Sequence, residues 1–161
     1  MKVCMFHLMP YRDLAPDFDQ RYKSAYLDPV WFDVADPDTV GQYYNWTLDE
    51  MVYAARAGMH GLCTNQHHQN VYGFMANPSL MSAALAKRTS GQNVAIIRIG
   101  STLPSTSPPT RIAEEYALID CLSGGRLVAG SRPVCRPTRR SPTGWSRSSS
   151  ASATARHCSW C

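Results

Sequence analysis

Four short apolar runs, each cut by a breaker and separated by helix-like stretches, constrain this chain more than any other feature. VCMFHLM (Val3 to Met9) stops at Pro10, HGLCTN follows Gly58, NVAIIRIG stops at Gly100, and RLVAG follows Gly124-Gly125. Runs of that length, apolar on both faces, are characteristic of parallel strands covered by helices. Strands are therefore expected near residues 3–9, 61–66, 93–100 and 126–130. Between them, Thr47-Leu-Asp-Glu50 has the form of a capping box and predicts a helix over MVYAARAG, closed by Gly58. Asn77-Pro78 offers a cap and a first-turn proline to SLMSAALAKRT. Pro108-Pro109 opens a third helix, in which Ile112, Tyr116 and Ile119 recur on one face before Gly124-Gly125 ends it.

Strand, helix, strand, helix, strand, helix, strand is the opening of either a doubly wound sheet or a (β/α)8 barrel. The glycine-rich turn of a dinucleotide-binding sheet is missing after the first strand. Residues 11–46 stand there instead, rich in Asp and Pro and carrying Tyr11, Phe18, Tyr22, Tyr26, Trp31, Phe32, Tyr43, Tyr44 and Trp46. Connections longer than ~15 residues are commonly functional, and barrels carry theirs at the C-terminal face, where active sites lie. The expected fold is thus α/β, the N-terminal part of a (β/α)8 TIM barrel in about three and a half βα units. Residues 11–46 are expected to be a lid.

The last stretch departs from all of this. All twelve Asp and Glu lie in residues 1–130, so the net charge of +4 resides in residues 131–161, which hold six Arg and no acid. That stretch also lacks Leu, Ile, Met, Phe, Tyr, Lys, Asn and Gln, yet carries three Cys and two Trp. An Arg/Ser-rich tail could hold nucleic acid through phosphate contacts. The cysteines of the body, Cys4, Cys63 and Cys121, sit in apolar patterns that suit reduced thiols. MKVCMFHLMP is not a secretory signal, and no run nears the ~18 apolar residues of a membrane span. Cytoplasm is the expected compartment, with no membrane partner.

The chemistry-bearing residues cluster after the second strand, in Gln66-His67-His68. Paired histidines there can be metal ligands, general bases or surface residues. Neighbours in an extended segment point opposite ways, so His67 and His68 do not readily share one metal. No His-x-His or paired Cys spacing supplies further ligands, and no metal is expected. A metal-dependent hydrolase using His60, His67 and His68 is the competing enzyme reading.

Two segments together resemble a known family. AGMHGLCTNQHHQNVYGFMANPSLMSAALAKRT looks like the second βα unit of the bacterial luciferase-like flavin-dependent monooxygenases, with a strand running into two histidines and an Asn-Pro helix start. LPSTSPPTRIAEEYALIDCLSGGRLVAG resembles that family's Pro-rich loop, acidic helix and Ser-x-Gly-Arg segment. The resemblance covers roughly residues 1 to 130. It implies dioxygen activation by reduced FMN delivered by a separate flavin reductase, or a deazaflavin in some branches, acting on a small-molecule substrate. It assigns catalysis to His67, implicated in proton handling, and to its neighbour His68. It places Gly100 and Ser101 against the flavin, with Gln66 where the family has an acidic residue. By strand alternation His7 faces the same way as Val3 and Met5 and is a candidate to line the substrate site, with a core or loop-bonded histidine as the alternative. Homo-oligomers are a further expectation for full-length members.

The resemblance also accounts for the tail. With permitted codons from Val134 onward, joining each third base to the next two gives VPTDATLSNGVVPVEQRERYREALLLV. That text has a turn, an Asn-Gly and an amphipathic helix, and it resembles what the family places next. Residues 131–161 are therefore expected to be a disordered frameshift product beginning near Gly130, leaving 1–130 as a partial and inactive barrel domain.

Overall fold

The computed structural model describes residues 1–25, 31–102, 108 and 110–132. In chain order the elements are β1 (Cys4–Phe6), α1 (Phe18–Arg21), α2 (Trp31–Val34), α3 (Pro37–Arg56), β2 (Gly61–Thr64), α4 (Pro78–Arg88), β3 (Ala95–Thr102), α5 (Thr110–Ser123) and β4 (Leu127–Arg132). The four strands form one parallel sheet in the order β1-β2-β3-β4. A doubly wound sheet reverses direction at a switch point; this one steps the same way each time. α4 packs against both α3 and α5, so the three helices share one face of the sheet. With crossovers of one hand, that is barrel winding.

Register separates the two faces. Met5, Leu62, Ile96 and Leu127 lie in one row across the sheet. Leu62 and Ile96 are fully buried against Met51, Val52 and Ala54 of α3 and Leu85 and Ala86 of α4, with Met5 at the margin. The next row, Phe6, Cys63, Ile97 and Val128, points the other way. There Phe6 is 51% and Val128 50% exposed, with Ile99 of the same face at 42%.

Two expectations are corrected. The helix read as starting at the Thr47 capping box begins at Pro37, with Asp36 as its N-cap; Asp36 Oδ1 accepts from Asp38 N at 3.0 Å and Oδ2 from the Thr39 hydroxyl at 2.7 Å. An Asp-Pro start with a β-region cap outcompetes a later box. Tyr43, Thr47 and Met51 then recur every four residues on the buried side of α3. Consequently the described part of 11–46 is not a detached lid. Tyr11 and Tyr43, with ring centroids 5.3 Å apart, join Met9, Ala35, Met75 and Met81 in a second core. The Tyr43 hydroxyl bonds to the Asp13 carboxylate, so even the polar tip is satisfied.

The other elements follow their signals. Asn77 Oδ1 accepts from Ser79 N and Leu80 N, and Ile112 and Ile119 are the buried positions of α5. Gly124 and Gly125, at φ 69° and 80°, turn the chain into β4. Strand β3 extends two residues beyond Gly100 and β4 two beyond Gly130. Tyr26, the Pro-rich loop at 103–107, Pro109 and the tail from 133 onward lie outside the described residues. Among those described, no helix is long and apolar enough to cross a membrane.

Candidate active site

Parallel pairing brings the C-terminal ends of β1, β2 and β3 to one edge, and the singled-out residues lie along it. At the end of β1, the ring of His7 is held on both nitrogens. Its Nδ1 accepts from Met9 N at 2.8 Å, so the ring proton sits on Nε2, which donates to Glu50 Oε2 of α3 at 2.7 Å. Arg12 holds the other carboxylate oxygen at 2.7 Å. The Arg12 guanidinium first, and then His7, hold the Glu50 carboxyl below the usual carboxylate range, against the opposing pull of desolvation. Met9, buried at φ 59°, forms the tight corner that lets its N–H turn back to the His7 ring.

At the end of β2, Asn65 is 3% exposed and makes two bonds. Its Nδ2 donates to the His7 carbonyl at 2.5 Å, and its Oδ1 lies 2.7 Å from His67 Nδ1. His67 N donates to Met75 O at 3.0 Å, and its ring meets Tyr72 edge-on, centroids 5.5 Å apart. Gly73 closes over it: a Cβ there would stand 2.7 Å from His67 Cβ and 3.1 Å from Nδ1. This is a position where only glycine fits. The loops after β1 and β2 are fastened together by Phe74 N to Met9 O and Tyr11 N to Val71 O, both 2.9 Å. Gln66 Nε2 and His68 Nε2 pair at 2.8 Å on the outer side.

At the end of β3, register shifts between Arg98 and Ser101, with Gly100 in the bulge at φ 73°. An L side chain there is strained, so the bulge calls for glycine. The Ser101 hydroxyl is buried and bonded at 2.7 Å to Tyr116 OH of α5, which donates to Gly130 O at 2.6 Å. Ser101 thus offers its backbone, not its side chain, to the edge.

The structure therefore brings His67, His68, Gln66, Gly100 and Ser101 to one edge. His7 enters through its carbonyl, since its ring is turned to α3. His60 lies at the other end of β2, where its Nδ1 accepts from Val3 N at 3.2 Å, so the three-histidine metal reading has no geometric basis. Among the described residues no group of three or more His, Cys, Asp and Glu is placed to hold a metal ion. Sequence reading missed Asn65, Glu50, Arg12 and Gly73. Only Asn65, a polar residue closing a buried strand, carried a local signal.

A sequentially ordered parallel sheet with helices on one face defines a barrel-type α/β chain, here with polar groups gathered at its C-terminal edge. Comparison with known proteins specifies the class. The luciferase-like monooxygenase family profile matches residues 26–130. The oxygenase component of flavin-dependent trigonelline monooxygenase from Acinetobacter baylyi is 32% identical over 97 residues, 60% of this chain and 26% of that protein. A solved structure with the same fold is the oxygenating constituent of 3,6-diketocamphane monooxygenase from Pseudomonas putida, a type II Baeyer-Villiger monooxygenase in complex with FMN. It matches with a TM-score of 0.59 and 18% identity, over 85% of this chain and 30% of its own. The chain belongs to the luciferase-like monooxygenase family, and spans under a third of the length of these two relatives.

Proposed function

We propose that residues 1–130 supply the first βα units of a flavin-dependent monooxygenase, with His67 as the proton-handling residue at the C-terminal edge of the sheet. The observation that carries this is the held imidazole: Asn65, Gly73 and Tyr72 fix His67 at the strand edge that also carries the β3 bulge, in a chain of this family. The edge fits FMN in chemical kind. Gly100 permits close backbone approach, and the apolar row whose two ends, Phe6 and Val128, are exposed suits a planar ring. Gly100, the Ser101 backbone and Gln66 are the proposed cofactor contacts, with His68 beside His67 and His7 contributing its carbonyl. When bound, reduced FMN supplies the electrons that activate dioxygen. His67 holds or releases a proton at the edge, and the two apolar cores behind it exclude water.

A separate reductase is the proposed partner, since one relative is named an oxygenase component. A small organic molecule is the proposed substrate and the cytoplasm the proposed compartment. We also set the domain boundary at Gly130, with residues 131–161 out of the native frame. The family match ends at residue 130, and residues 131–161 hold no Asp, Glu, Leu or Ile.

The test uses the chain continued in the native frame beyond Gly130. Reduced FMN is titrated anaerobically, then mixed with oxygenated buffer. His67→Gln is expected to slow the oxygen-dependent step about 100-fold or more while leaving FMN affinity within a few-fold. Equal rates, or loss of FMN alone, would remove His67 from catalysis.

A further inference from the structure

We infer that Asn65 is a positioning residue that fixes the tautomer of His67, with the proton on Nδ1 and Nε2 as the nitrogen that exchanges protons. The argument runs from a group with only one option. The His7 carbonyl can only accept, so the Asn65 amide must present its NH2 there, at 2.5 Å. Its oxygen then faces His67 Nδ1 at 2.7 Å, and an amide oxygen at that distance needs a donor. Nδ1 must therefore carry a hydrogen. Reversing the amide would set oxygen against oxygen at a residue that is 3% exposed.

The surroundings preserve this geometry. Asn65 N bonds to Met75 Sδ at 3.2 Å and His67 N to Met75 O at 3.0 Å, so both backbones are referred to one residue. Gly73 leaves room for the ring to lie with Nδ1 toward Asn65. The bond also survives protonation, because imidazolium keeps its Nδ1–H. His7 is the reverse case, since its Nδ1 must stay bare to accept from Met9 N–H. One amide thus links a histidine protonated at Nε2 to another protonated at Nδ1.

The use of the exchanged proton rests on the flavin reading above; the tautomer does not, and the experiment contains no flavin. Long-range 1H–15N correlation spectra of the imidazoles are recorded on the 161-residue chain at about pH 8, above the ordinary histidine value. The His67 signal is assigned by its loss in His67→Gln. The expected pattern is a protonated Nδ1 and a bare, pyridine-like Nε2. Asn65→Leu should convert it to Nε2–H or to a mixture. A merely structural Asn65 would leave the pattern unchanged in a folded Asn65→Leu, and that result overturns the inference. Should Asn65→Leu fail to fold, the parent still decides: Nε2–H there overturns the inference.

Discussion

The two ends of this sheet are tied by different kinds of polar network. At the N-terminal end, Arg126 donates from NH1 to Val94 O at 2.9 Å and Thr89 Oγ1 at 3.0 Å, from NH2 to Ala86 O at 3.0 Å, and from Nε to Ser123 O at 2.7 Å. One permanent cation thus joins the ends of α4 and α5 to the start of β3, where the helix dipoles favour positive charge. No acceptor in that set titrates. At the C-terminal end the corresponding anchor is the Glu50 carboxylate, which Arg12 and His7 hold below the usual carboxylate range. The Arg126 network uses bonds indifferent to pH, whereas the pairs that Glu50 makes with Arg12 and His7 depend on the charge of a carboxylate. This parallels a barrel's division between a stabilising bottom and the top at which the chemistry is proposed.

The largest expected effect breaks the bottom network. Arg126→Met keeps the apolar stem but leaves the acceptors at Thr89, Val94 and Ala86 unpaired in buried surroundings. Hydrogen bonds from charged groups contribute ~1.5–3 kcal/mol each and are not additive, so the net loss should be about 3 kcal/mol. Urea unfolding is the measurement. The loss should be equal at neutral and mildly acid pH; a loss under ~1 kcal/mol would make Arg126 a surface residue in effect.

How much of this was legible in the sequence depended on the range of the signal. The order of strands and the Asn77-Pro78 start were readable because cap, proline and periodicity lie within one helical turn. The start of α3 was misread because two start signals compete there, and tertiary burial of Tyr43 and Tyr11 decides between them. The Ser-x-Gly-Arg segment was visible as a family feature, but nothing local shows that Arg126 reaches across to Ala86 and Val94. His67 was singled out by its place after a strand. Glu50, 43 residues from His7 in the chain, could not be paired with it before the fold was known.

A middle-sized effect sharpens the contrast at the reactive end. Gly73→Ala puts a methyl 2.7–2.8 Å from His67 Cβ and Cγ, and something must shift. Overpacking of this kind costs about 2 kcal/mol. Because the clash bears on one imidazole, the His67 ring signals should move while those of His60, at the far end of β2, stay in place. Destabilisation with an unmoved His67 spectrum would mean that the loop yields instead of the ring, and that Gly73 serves the turn alone.

The smallest effect is the one that separates the two ends most cleanly. Glu50 has a folded-state pKa depressed by Arg12 and His7, so its contribution to stability is complete above the unfolded value of about 4.3. It is lost as pH falls through the lower, folded value. The side chain is 39% exposed, so solvent screening limits the contribution to no more than about 0.5 kcal/mol. Glu50→Gln removes the charge at all pH values. Its urea midpoint should therefore lie slightly below that of the parent at neutral pH and converge with it in the acid range, where parent Glu50 is protonated as well. Arg126→Met should run parallel to the parent over the same range. If the Glu50→Gln and parent curves were also parallel, the carboxylate would contribute nothing through its charge. The Glu50 pairs would then be as indifferent to pH as the Arg126 network.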